Sequence, residues 1–245
     1  MDWILLLAIV FILAAYFVKG FSGFGPALII VPSFTILYDP LTAISLSSLF
    51  DAIGGTLLLL TVLKNVNWRF VFPTAFFLAI GSYLGVSILG FVPVNLLKIL
   101  IAAVVCIFIY VLISNRKFEF TFIRKSGNPF LFALATLTGM LAGLTGTGGP
   151  ILIIFLKLKN RKKEFRSQAI AIFTIGAIWR LFLYEYNNFL PELNLTIFVM
   201  ILFMVIGLAF GHFLQRNVNE QLFNRYVALI LIIPVMTLFF EAFIK

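Results

Sequence analysis

Two short tracts hold most of the residues that can do chemistry. In the first, Lys19 and Ser22 lead into Gly23-Phe24-Gly25-Pro26; in the second, Thr145-Gly146-Thr147-Gly148-Gly149 leads into Pro150. Glycines at these spacings permit left-handed or tightly turned backbone that exposes successive N–H groups. Pro26 and Pro150 suit the first position of a following helix, where the missing N–H costs nothing. Each tract therefore ends at a helix N-terminus, whose partial positive charge and free donors suit an anion. The hydroxyls of Ser22, Thr145 and Thr147 lie in the same turns and can donate to it. The competing reading is that these glycines only let helices pack closely.

Ionisable residues inside apolar runs are costly at that depth and call for a role. Asp51 lies about 15 Å along the run that starts at Leu41, beside Ser45, Ser47 and Ser48. It is a candidate coupling site for a proton or sodium, or a lock on a nearby cation, against the plain alternative of a buried structural partner. Lys19 can neutralise a bound anion, pair with Asp51, or snorkel to an interface. Arg180, four residues before Tyr184, either snorkels to the outer surface or contacts an anion. Trp179 reads as an interfacial anchor, and His212 as a packing or interfacial histidine rather than a proton relay.

An enzyme reading would rest on Gly20-Phe-Ser-Gly23, which carries the G-x-S-G pattern of rhomboid-like intramembrane proteases. It needs Ser22 and His212 within hydrogen-bond reach. The tract recurs as Gly143-Leu-Thr-Gly146, which duplication explains and catalysis does not. The sequence thus predicts no enzyme. One His, one Cys and scattered carboxylates make no ligand cluster, so neither a metal nor a cofactor is expected.

The elements that must position these residues follow from composition. Of 245 residues, 62% are hydrophobic and 11% charged, against roughly a quarter charged in soluble domains. At roughly 20 apolar residues per crossing, the chain supplies about eight membrane segments in one integral domain. The net charge of +9 comes from residues in the breaks between apolar runs, where they orient loops; nucleic acid is not an expected partner. Cys106, the single cysteine, reads as a small buried hydrophobe. The start, Met1-Asp2-Trp3, lacks the basic region of a signal peptide, so residues 3–18 are expected to stay in the mature protein.

Two apolar runs, 27–38 and 150–158, are too short to span and follow glycines rather than a charged loop. Each predicts a broken helix or re-entrant hairpin. Gly20, Gly23 and Gly25 recur as Gly143, Gly146 and Gly148 at an offset of 123, and Gly81-x-x-x-Gly85 recurs as Gly207-x-x-x-Gly211 at an offset of 126. The chain therefore reads as a duplicated unit: 1–113 a first repeat, 114–128 a basic cytoplasmic linker, 129–245 a second repeat. Basic residues place the connections at Lys64/Arg69, Arg116–Lys125 and Lys157–Arg166 on the cytoplasmic side. With each broken pair entering and leaving on one side, three crossings per half invert the second half. The expected fold is an all-α polytopic membrane protein of two inverted repeats, each with a glycine-rich broken hairpin and both termini outside.

With the glycine tracts, the paired Gly-x-x-x-Gly spans and the basic central loop, nearly the whole chain resembles the TauE/SafE family, also called TSUP. The resemblance implies an inner-membrane transporter of sulfur-containing anions such as sulfite, sulfonates or sulfoacetate. The expected partners are accordingly a small anion, the lipid bilayer and a coupling proton or sodium. Backbone donors of Gly23, Phe24, Gly25, Gly146, Gly148 and Gly149 would bind, Lys19 and Arg180 would supply charge, and Asp51 would couple or gate. An anion channel would use the same turns without alternating access.

Overall fold

The structure, a computed structural model, describes residues 3–113, 128–149, 152–153, 156, 162–214, 231–232, 234–238 and 240. The linker at 114–127, Pro150, most of the second short run and most of the last apolar run lie outside the described residues.

Eight helices carry the argument: α1 (Trp3–Ser22), α2 (Ala27–Leu37), α3 (Pro40–Val62), α4 (Trp68–Leu89), α5 (Val94–Ile113), α6 (Asn128–Thr145), α7 (Lys162–Tyr186) and α8 (Leu195–Leu214). Five described helices are long and apolar enough to cross a membrane. The 11 residues of α2 reach only about 16 Å. Local signals explain the starts: Asp39 Oδ1 caps α3 by accepting from Thr42 N at 3.0 Å, with Pro40 in the first turn. Asn194 Oδ1 accepts from Ile197 N at 3.0 Å at the start of α8.

The outward surface is apolar, as contact with lipid requires, and polar side chains are taken inside among an apolar core. Phe72, Phe76, Phe198, Leu202 and Phe210 are exposed, whereas Ser45, Ser47, Ser48, Thr74 and Ser82 are buried between helices. Chain and composition together make this a polytopic membrane protein. Cys106 corrects its expectation: it is exposed, beside Ile107 on the outward side of α5. A helix apolar all round has no polar face from which its phase can be read.

Helix directions follow from close backbone approaches. A Cβ on Gly207 would strike Leu13 and one on Gly211 would strike Phe17, so α1 and α8 run parallel. Likewise Gly81 abuts Thr136 and Gly85 abuts Met140, so α4 and α6 run parallel. Gly55 abuts Thr174, while Ser48 Oγ lies 3.4 Å from Arg180 Nε, so α3 and α7 run antiparallel. Short connections reverse the chain between α3 and α4 and between α7 and α8. Consequently α1, α3 and α8 point one way and α4, α6 and α7 the other. Among the described helices, the three pairs related by the sequence offset, α1 with α6, α3 with α7 and α4 with α8, are each opposed.

The correspondence extends to single contacts. A Cβ at Gly20 would meet Leu208 O and His212 N; one at Gly143 would meet Ser82 O and Val86 N. These contacts interchange under the offsets of 123 and 126. At the first hairpin, Trp3 from the start of α1 and Tyr38 from the end of α2 line one crevice with Asn194 and Thr196. The chain thus returns to the side it entered from.

Candidate anion site

Both glycine turns open onto one cavity of about 40 Å³ between the halves, room for about three waters. Gly23, Phe24, Gly25 and Ala27 line it from the first turn, and Gly146, Thr147, Gly148 and Gly149 from the second. Lys19, Asp51 and Arg180 complete its charged lining.

The turns use their glycines in two ways. Gly23, Gly25 and Gly146 have φ of +87°, +91° and +66°, the left-handed region predicted for them. Gly148 is instead a packing glycine, because a Cβ there would collide with Thr138 O and Ala142 on α6. At Gly149 a Cβ would meet only side chains, Ile153 tightly at 3.3 Å and Phe173 at 3.7 Å. At the start of α2, Ile29 and Ile30 donate to Pro26 O at 3.0 and 2.9 Å. The N–H groups of Gly25 and Ala27, and of Gly148 and Gly149 opposite, meet no acceptor among the described residues.

Side-chain hydroxyls of the turns are engaged locally. Ser22 Oγ lies 2.8 Å from both Val18 O and Phe24 O, and accepts from Phe24 N at 3.2 Å. Thr145 Oγ1 donates to Leu141 O at 2.8 Å and accepts from Thr147 N at 3.3 Å. Both are the same turn, in which a hydroxyl takes the N–H two residues on. Neither Ser22 nor Thr145 lines the cavity; Thr147 does, 2.9 Å from Thr145 Oγ1. The Ser22 hydroxyl is thus held by backbone carbonyls, while His212 Nδ1 lies 3.4 Å from Arg166 Nη2.

The charged residues are all interior. Lys19 is 5% exposed; its Nζ lies 2.7 Å from Asp51 Oδ1 and donates to Asp51 O at 3.1 Å. Tyr16 OH donates to Asp51 Oδ1 at 3.2 Å. Of the readings open to Lys19, pairing with Asp51 is the one observed. Arg180, 4% exposed, does not snorkel: its Nε reaches Ser48 Oγ at 3.4 Å, and no carboxylate pairs with it among the described residues. Its short distance from Tyr184 in sequence does not bring it to the surface, because Tyr184 is itself buried and α7 runs on to Tyr186. Trp179 is partly exposed and donates from Nε1 to Ala79 O at 3.0 Å, so it tethers α7 to α4.

Sequence reasoning missed four contributors. Thr138 Oγ1 and Thr174 Oγ1 are buried without a partner among the described residues, and both residues line the cavity. Tyr184 OH donates to Gly143 O at 2.9 Å, and Arg166 Nη2 donates to Gly20 O at 2.9 Å. These are equivalent carbonyls at the frayed ends of α6 and α1, both held by α7. Extending the offset of 123 through Phe50-Asp51 and Phe173-Thr174 would have found Thr174 as the counterpart of Asp51.

Compared with known proteins, residues 7–238 match the family described as Sulfite exporter TauE/SafE. No curated protein and no solved structure matches the chain.

Proposed function

The chain belongs to the sulfite exporter TauE/SafE family, and from that premise we propose a secondary transporter that moves small sulfur-containing anions, sulfite, sulfonates or sulfoacetate-like, across the cytoplasmic membrane by alternating access. One observation carries the reading: two inverted glycine turns, a buried Arg180 without a carboxylate partner and the unpartnered hydroxyls of Thr138 and Thr174 converge on one cavity. Free backbone donors and a fixed guanidinium reproduce the hydrogen bonds that an oxyanion loses on leaving water. A site without a partner for its cation is incomplete until an anion arrives.

In this reading the repeats are 1–113 and 129–245 joined by a cytoplasmic linker, the protein is multi-pass in the inner membrane, and both termini face outward. The halves, or the hairpins within them, rock around the cavity and expose it alternately. Lys19 and Arg180 supply charge, and Asp51 couples transport to a proton or sodium by holding or releasing Lys19. Ser22 and Thr145 shape the turns whose N–H groups bind. No catalytic step is involved.

Counterflow of labelled sulfite into proteoliposomes, with sulfate, sulfonates and small carboxylates as competitors, tests the function. Exchange suppressed by sulfur oxyanions is expected. Folded protein that moves none of them overturns the substrate assignment.

A further inference from the structure

The charges around the cavity do not balance, and the imbalance depends on one proton. Among the described lining residues the formal charges are Lys19 and Arg180, positive, and Asp51, negative, which sum to +1 with Asp51 ionised. In that state Lys19 is occupied, its Nζ bound to both Asp51 Oδ1 and Asp51 O. Only Arg180 faces an incoming anion without a counter-charge. The site as it stands is matched to a single negative charge.

A proton on Asp51 changes the count. A new O–H bond forms on the carboxylate, the charge-assisted bond at 2.7 Å from Lys19 is lost, and the ammonium becomes available to the cavity. The site then carries +2. We propose that Asp51 sets the valence of the cargo: monovalent anions bind with Asp51 ionised, whereas divalent oxyanions bind together with one proton on Asp51. The inference rests on the anion-transport reading and adds the rule by which the site chooses between charge states.

The surroundings of Asp51 leave it as the group that can make this change. From α1 it faces Tyr16 and Lys19, and from α7 the cavity receives Arg180; α2 carries no titratable side chain, and Met204 of α8 reaches the same region beside Gly54. The second half repeats the geometry without the charges. Under the offset of 123, Lys19 and Asp51 correspond to Ala142 and Thr174, both lining the cavity. A duplicated pocket with an ion pair in one half only has a built-in place for a proton in that half only.

The test uses the full chain in proteoliposomes and two probes of fixed charge, methanesulfonate with one negative charge and sulfate with two, across acid and neutral pH. Binding is read as protection against thermal aggregation, and flux as counterflow. Sulfate affinity is expected to rise on the order of tenfold from neutral to acid pH, while methanesulfonate affinity stays level. In Asp51→Asn, where Lys19 is permanently released and bound anion supplies the missing counter-charge, sulfate is expected to bind equally well at both pH values. Equal pH profiles for the two anions in the wild type overturn the valence rule while leaving anion transport intact. Failure of both probes and of sulfite to bind at any pH removes the parent reading, and this one with it.

Discussion

The two glycine turns share a backbone and differ in charge. Ser22 and Thr145 take equivalent N–H groups, Gly23 and Gly146 take equivalent left-handed conformations, and the carbonyls of Gly20 and Gly143 are each tied to α7. Yet beside the first turn stands a buried ion pair, Lys19 with Asp51, and beside the second stand Ala142 and Thr174. Arg180 restores a charge to the second half from a position whose counterpart at the same offset is Leu57. The symmetric part of the site is therefore what backbone can supply, namely donors and helix termini. The asymmetric part is what side chains can supply, and in the proposed anion reading it sets charge selectivity.

The largest expected effect on anion binding comes from removing that asymmetry at its unpaired member. Arg180→Gln should weaken anion binding by about a hundredfold, since a desolvated charge partner is lost, with the protein still folded; scintillation-proximity binding in detergent measures it. Unchanged affinity would mean that the backbone donors alone make the site.

Next is the ion pair. Lys19→Met leaves the Asp51 carboxylate buried and alone, which costs about 3–5 kcal/mol. The double variant Lys19→Met/Asp51→Asn should recover most of the loss in thermal melts. A double variant no more stable than the single one would show that the pair is not a closed unit.

The glycines sharpen the comparison at the level of the backbone. Gly148→Ala drives a methyl into Thr138 O and should cost about 3 kcal/mol and most of the expressed protein. Gly25→Ala makes only an ordinary contact, with Leu28 at 3.7 Å, but stands at φ +91° and should cost about 1–2 kcal/mol, with expression retained. Size-exclusion profiles of the two purified variants distinguish them.

The smallest effects are expected at the hydroxyls without partners. Thr138→Val and Thr174→Val break no intramolecular hydrogen bond, so melting temperature should hold. Affinity for sulfite should fall by about fivefold each, the worth of one hydrogen bond. Full affinity in both variants would remove these two residues from the site.

How far the molecule was legible in its sequence varies from element to element. Duplication, the short α2 and the opposed halves were readable because they rest on glycine spacing, run length and loop charge, which are local. So was the left-handed backbone at Gly23, Gly25 and Gly146. The partition of the glycines was not: Gly148 shows the same residue type and is used for packing, and only the approach of α6 reveals it. Thr174 was legible only through the offset of 123, and Thr138 not at all, since a threonine in an apolar helix usually bonds back to its own turn, as Thr74 does to Phe70 O at 2.8 Å. Arg180 stayed open between surface and interior because sequence distance from a helix end says nothing about what covers that end. Cys106 was misjudged for a related reason, its helix being apolar on every side.

The pairing of α1 with α8 and of α4 with α6 has a consequence for how the protein is made. Each tight pair takes one helix from either half, and the glycine faces that join them match backbone to backbone. While the ribosome is still translating the second half, the Leu13–Gly20 face of α1 has no mate and must wait among lipids or insertase. Its fit is completed only when Gly207 and Gly211 emerge. Neither half is a finished folding unit, so separately expressed halves should be degraded alone and rescued by co-expression.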